Sequence, residues 1–65
     1  MEPYEKLYED LMRLVRNSEM DFIKFYIKRN KAAGIRLRKQ MQVIRNYAKN
    51  IRKEVRELTL KNEEM

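Results

Sequence analysis

The sequence predicts an all-α protein, an antiparallel helical hairpin of two long helices that dimerises into a four-helix bundle. Strong helix formers dominate the 65 residues, Lys, Arg, Glu and Leu among them. One Gly and one Pro leave few turn residues, so few elements are expected. Apolar residues recur at spacings of three and four in both halves of the chain, which is typical of helices buried along one stripe. We expect a single domain over residues 1–65.

The first helix is predicted over residues 3–28. Pro3 suits a first helical turn, where its missing N–H group is not needed. Ser18 is the one small polar residue on the apolar stripe, and the stripe continues past it, which favours a continuous helix over one that restarts there. An aromatic stripe at helical spacing is usually core, so we expect its rings to be buried. The stripe contains Tyr4, Leu7, Tyr8, Leu11, Leu14, Val15, Phe22, Phe25 and Tyr26.

A turn is predicted at about residues 29–31, followed by a second helix over about 31–61. Asn30 tolerates the left-handed conformation that ends helices, and it also caps helix starts. Gly34 either interrupts the second helix or lies on its seam and lets the two helices approach closely. Without a turn, the chain would be one long helix paired as a coiled coil. The seam of the second helix contains Gly34, Leu37, Met41, Ile44, Ala48, Ile51, Val55 and Leu58.

The apolar stripes are wider than a contact between two helices covers. Val43 and Tyr47 widen the stripe of the second helix. Three roles stay open for Tyr47: it seals the seam, pairs across a dimer or touches a ligand. Burying one seam gives little stabilisation compared with the conformational entropy lost on folding, which costs about 1–2 kcal/mol per residue. We therefore expect a homodimer that closes a four-helix bundle.

Positive charge is concentrated in the second half of the chain. The formal net charge is +6, and residues 1–30 contain six basic and six acidic side chains. Residues 31–65 contain ten basic and four acidic ones, and no acid lies between Asp21 and Glu54. A segment of one sign on a short helical protein indicates a polyanionic partner. The alternative is a solvated face of unpaired basic side chains.

Eight basic residues of this segment are the predicted nucleic-acid-binding residues. Arg38, Arg45 and Arg52 lie seven apart, so they line one edge of the helix about 10 Å from each other. Arginine binds phosphate oxygens in a bidentate manner, and lysine acts as a point charge. The sequence does not resemble a base-reading helix, so binding should be largely independent of DNA sequence. The complete set is Lys31, Arg36, Arg38, Lys39, Arg45, Lys49, Arg52 and Lys53.

The residue types argue against catalysis, metal binding and membrane insertion. The absence of His and Cys removes imidazole and thiolate ligands and Cys/His nucleophiles, and it is compatible with a reducing compartment. No pair of carboxylates stands in surroundings that would separate their pKa values. Uncharged runs are too short for a membrane span, and the acidic start is unlike a signal peptide. We expect a cytoplasmic, non-enzymatic protein with no cofactor, metal or small-molecule substrate.

The segment Asn30–Lys39 reads NKAAGIRLRK, and residues 48–54 read AKNIRKE. Over about Asn30–Glu57 the chain resembles the bacterial linker-histone-like proteins, which are named after the chlamydial nucleoid histone. The resemblance implies a nucleoid-associated DNA-binding protein with a helical amino-terminal region. In several members of that family, a disordered tail rich in Lys and Ala carries much of the DNA binding.

The resemblance also assigns residues and shows two departures. Relatives tend to have Gly at the position of Arg29, and the chain ends on acidic residues where they have a basic tail. The chain is therefore expected to correspond to the dimerising part of the family, with weak nucleic-acid affinity. The positions that match the motif are Lys31, Ala32, Ala33, Gly34, Arg36, Arg38 and Lys39.

Three functions follow from these patterns. The first is a histone-like nucleoid protein that binds duplex DNA without strong sequence preference, with RNA as the alternative polyanion. The second is a non-catalytic structural or adaptor module that mediates oligomerisation and protein–protein interaction, as the wide aromatic stripe suggests. The third is an amphipathic peptide at a membrane surface, which the narrow heptad-like seam disfavours.

Overall fold

The computed structural model describes the backbone of residues 3–63, which forms three helices and no strand. Helix α1 covers Pro3–Asn17, α2 covers Glu19–Tyr26 and α3 covers Lys31–Glu63. Helices α1 and α2 form the first arm of a hairpin, and both pack against α3, which forms the second arm. The all-α prediction is confirmed for the described part of the chain.

The two arms run antiparallel. Close to the turn, Asp21 contacts Arg36, a residue 15 positions later. Farther from the turn, Tyr47 reaches back 40 positions to the carbonyl of Leu7. Contacts between residues ever more distant in sequence are what an antiparallel hairpin produces.

Ser18 divides the first arm into α1 and α2. Its hydroxyl donates to the carbonyl oxygen of Val15 at 2.6 Å, and its amide donates to the same oxygen at 3.1 Å. A serine that bonds back to a preceding carbonyl often bends a helix. Ser18 is 1% exposed, so the folded chain encloses it almost completely. The structure thus differs from the continuous helix predicted over 3–28, because local hydrogen bonding at this residue competes with the regular helical pattern.

Arg29 and Asn30 build the reversal between α2 and α3. Arg29 has a φ of 56°, in the left-handed region. The amides of Arg29 and Asn30 donate to the carbonyls of Phe25 and Lys24 at 3.1 and 2.9 Å. The Asn30 side-chain oxygen accepts the amide of Ala33 at 3.1 Å and so caps α3. The predicted cap at Asn30 is confirmed, whereas the left-handed residue is Arg29 and not Asn30.

Arg29→Gly is expected to stabilise the protein by about 1 kcal/mol, because a residue with a Cβ pays roughly that much in the left-handed region. The melting temperature should rise by about 4–8 °C at fixed protein concentration. Lys28→Gly is the matched control, since it also removes one positive charge but at a residue whose own φ is not positive. A melting temperature for Arg29→Gly no higher than that of Lys28→Gly would contradict the prediction.

The fully buried core is small and lies near the turn. Ala33 is 0% exposed and Leu37 is 7% exposed. Gly34 lies between them, and a Cβ at this position would stand 2.6 Å from Cδ1 of the Phe25 ring. Helix α3 runs through Gly34 without a break. Of its two predicted roles, Gly34 therefore has the second, close approach of the two arms.

Most aromatic rings of the first arm stay exposed in a single chain. Tyr4, Tyr8 and Tyr26 are 67%, 62% and 59% exposed. Phe22 and Phe25 are 41% and 36% exposed. The expectation that this stripe is core is therefore not met within one chain, because a single partner helix covers only one strip of the arm.

Tyr47 has the first of its three predicted roles and seals the seam. Its ring is half-buried, and its hydroxyl lies 3.4 Å from both the Leu7 carbonyl and the Asp10 carboxylate. Burial raises the pKa of the Tyr47 hydroxyl, and the adjacent charge of Asp10 raises it further. This side chain therefore ties the middle of α3 to α1.

Candidate nucleic-acid interface

Helix α3 carries six basic residues along one side, which we call the basic strip. Each helical residue turns by about 100°, so a residue seven positions later returns to within about 20°. Since α3 is continuous from Lys31 to Glu63, the residues of the strip follow one another along its length. All six side chains are exposed. The basic strip consists of Lys31, Arg38, Arg45, Lys49, Arg52 and Arg56.

Three of the eight predicted binding residues lie off the basic strip. Lys39 and Lys53 are exposed on its flank, turned about 60–100° away around the helix. Arg36 points to the opposite side and contacts α2. Arg56 is a strip residue that the predicted set omits. The seven-residue spacing from Lys49 is the sequence signal that identifies it.

An acid from the first arm holds Arg36. Its Nε and Nη2 atoms donate to one carboxylate oxygen of Asp21 at 3.1 and 3.0 Å. The Gln40 amide donates to the other oxygen at 3.0 Å. The hydrogen bonds from Arg36 hold the pKa of Asp21 below its ordinary value, although burial acts in the opposite direction. The pair connects the two arms and takes Arg36 out of the charge available to a polyanion.

Among the residues that the structure describes, no carboxylate forms an ion pair with an arginine of the basic strip. In the ion pairs formed among the described residues, the acids are Asp10 and Asp21. Neither acid pairs with Arg38, Arg45 or Arg52 within that part of the chain. The strip therefore presents its positive charge to solvent, which is the arrangement that a polyanion requires.

Neither a metal centre nor a membrane span is found among the described residues. Between residues 3 and 63, no group of three or more acidic side chains is placed to hold a metal ion. None of the helices described combines the length and the apolar character that a membrane crossing needs.

Comparison with known families extends the resemblance to the first arm. The profile of the family described as "Histone H1-like protein Hc1" matches residues 5–61, which include α2, most of α1 and nearly all of α3. No curated protein and no solved structure gives a match. The matched segment holds the reversal at Arg29 and Asn30 and the whole basic strip. The chain belongs to the histone H1-like Hc1 family.

Proposed function

We propose that this protein is a histone-like, nucleoid-associated protein that binds duplex DNA through the basic strip, without strong sequence preference. The observation that carries the proposal is the strip itself: its side chains are exposed, and its arginines have no acidic partner among the described residues. Membership of a histone H1-like family supports a role in binding DNA. RNA is the alternative polyanion.

The mechanism is electrostatic. Duplex DNA carries closely spaced phosphates, and each basic side chain that meets one releases a condensed counterion. Arg38, Arg45 and Arg52 suit this role because guanidinium groups donate two parallel hydrogen bonds to phosphate oxygens. Contacts to phosphates fix the position of a protein on DNA but carry no direct sequence information.

Fluorescence anisotropy with labelled duplexes of unrelated sequence, titrated at several salt concentrations, tests this function. We expect log affinity to fall with log salt at a slope of about −3 to −5, as four or five phosphate contacts would give at about −0.9 each. Affinities for the different sequences should agree within about threefold. A folded protein that binds no duplex at about 50 mM salt would contradict the proposal.

The exposed surface supports the further proposal that the hairpin dimerises into a four-helix bundle. A single chain exposes 6149 Å². A compact monomer of 8.1 kDa would expose about 4,500 Å², so the excess is roughly 1,600 Å². A standard interface takes about 800 Å² from each partner. One chain therefore has surface enough for a stable contact with a second copy.

An apolar groove between α1 and the far end of α3, the terminal groove, is the surface we assign to this contact. Its volume is about 520 Å³ and its lining is almost wholly apolar. No residue of the basic strip lines it, so a second copy seated there leaves the strip open to DNA. Its apolar lining consists of Tyr4, Leu7, Tyr8, Leu11, Ile51, Val55 and Leu58.

The terminal groove also favours the second candidate function, an adaptor module whose partner is another protein. Exposed apolar surface of this kind marks interaction sites in general. Light scattering on the purified protein separates the two occupants. A mass of twice 8.1 kDa supports the second copy. A protein that stays monomeric at high concentration would instead support a different protein as the partner that binds the terminal groove.

A further inference from the structure

Three aromatic rings stand together at the turn end of the first arm. Phe22 and Tyr26 stack with their centroids 6.1 Å apart and their planes 12° apart. Phe25 and Tyr26 pack edge to face, with their ring centroids 5.1 Å apart and their planes nearly perpendicular. The stacked rings are 41% and 59% exposed, so they pack on each other while keeping surface open to solvent.

These rings and the first half of α3 enclose an open groove of about 690 Å³, the aromatic groove. Leu37 and Met41 contribute apolar surface to it. Lys31, Arg38 and Arg45, all members of the basic strip, also line it. Within the described part of the chain, no Asp or Glu lines this groove.

The chemistry of the aromatic groove matches a ligand with a flat apolar part and an adjacent negative charge. An unpaired nucleotide has both, a base with free faces and a phosphate. In a duplex, by contrast, the base faces are stacked on their neighbours. Proteins that bind single strands combine a positively charged groove with aromatic rings on which bases stack.

The terminal groove differs from the aromatic groove in the charge of its lining. This difference indicates which groove suits a nucleotide and which suits a protein surface. Glu54 lines the terminal groove, and no basic residue among those described does so. The described lining of the aromatic groove has the reverse composition, with three cations and no acid. Electrostatic complementarity therefore favours an anionic ligand in the aromatic groove and a protein surface in the terminal groove.

We propose that the aromatic groove binds an unpaired base of single-stranded DNA. The base stacks on the ring pair of Phe22 and Tyr26, and the flanking phosphates contact Arg38 and Arg45. This inference rests on the proposed function, because the same arginines contact duplex phosphates. The ring contact adds to the affinity for single strands and contributes nothing to the affinity for duplexes.

Tyr26→Ala tests this site by anisotropy with a labelled oligothymidine strand and with a duplex of the same length. The variant should bind the single strand about tenfold more weakly, as loss of one stacked base predicts. Its duplex affinity should stay within about twofold of the wild type. Tyr26→Phe keeps the ring and should keep both affinities.

Met20→Ala is the matched control, because Met20 lies on α2, is 59% exposed like Tyr26 and lines neither the aromatic groove nor the terminal groove. It should leave the affinity for single strands unchanged. Circular dichroism establishes that each variant folds, and light scattering gives its mass.

Several outcomes would overturn this inference. One is that Tyr26→Ala keeps its affinity for single strands, and another is that it loses equal affinity for single strands and duplexes. A third is that Tyr26→Ala has a lower mass than the wild type, which would show that a second copy occupies the aromatic groove. If the wild type binds duplex DNA and Tyr26→Ala binds single strands as tightly as the wild type does, this inference alone is wrong. Wild-type protein that binds neither kind of DNA defeats the proposed function as well.

Discussion

Replacing Arg38, Arg45 and Arg52 together by Gln is expected to weaken duplex binding at about 50 mM salt by roughly two to three orders of magnitude. The three side chains form the centre of the basic strip, and each lost phosphate contact returns one counterion to the DNA. The slope of log affinity on log salt should become less negative by about 2.7, from three contacts at about 0.9 each. Glutamine keeps the helix propensity, so the fold should persist.

The matched control removes three charges from positions off the basic strip, through Arg16→Gln, Lys28→Gln and Lys61→Gln. Both triple variants lower the net charge by the same amount. If binding depended on total charge alone, the two variants would lose equal affinity. We expect the control to lose less than about tenfold and to keep most of its salt slope. Equal losses would show that the strip is not the binding surface.

Asp21→Ala is expected to lower the melting temperature by roughly 10 °C at neutral pH. Asp21 is 7% exposed, and its carboxylate accepts hydrogen bonds from Arg36 and Gln40. Its removal leaves a half-buried amide and a guanidinium without their acceptor. The Arg36 side chain is 48% exposed and turns to water, so the loss falls mainly on Gln40 and on the contact between the arms. Thermal unfolding followed by circular dichroism measures the effect.

The same carboxylate makes stability depend on pH in acid. Since its pKa is lower in the folded protein, the unfolded chain binds more protons there, and stability rises with pH. The contribution is complete above the unfolded-state pKa, at about pH 4, and is lost as the pH falls through the folded-state value. Asp21→Asn should therefore differ from the wild type at neutral pH and approach it in stronger acid.

Glu9→Gln is the control for both measurements, because it removes one acid from the exposed surface of α1. It should change the melting temperature by no more than about 2 °C at neutral pH. A melting temperature for Asp21→Ala close to that of Glu9→Gln would show that the carboxylate does not join the arms. An Asp21→Asn difference that does not shrink as the pH falls below about 4 would contradict the assigned titration.

Much of the fold follows from local sequence patterns. Heptad spacing predicted a helix from Gly34 to Leu58, and the described α3 contains it. The cap at Asn30 also follows from local chemistry, because its side chain meets an amide only three residues later. Ser18 shows the limit of such patterns. Whether a serine bonds outward or back to the preceding turn depends on the burial of its hydroxyl.

The candidate site divides in the same way. The spacing of Arg38, Arg45 and Arg52 defines a row on any regular helix, so the centre of the basic strip was predictable. The sequence could not show that Arg36, unlike these arginines, forms an ion pair, since its partner Asp21 lies 15 residues away on the other arm. The exposure of Tyr26 was likewise inaccessible, because the same apolar spacing describes a buried ring and a ring left uncovered.

The sequence by itself determined the helical class, the reversal near Asn30 and the sign of the charge along α3. Each depends on propensity, capping or spacing, which act within a few residues. The tertiary structure decided which basic residue pairs with an acid, which aromatic rings stay open and which face of α3 meets water. Those properties arise only when two distant segments come together, because burial and ion pairing depend on what each side chain finds across the hairpin.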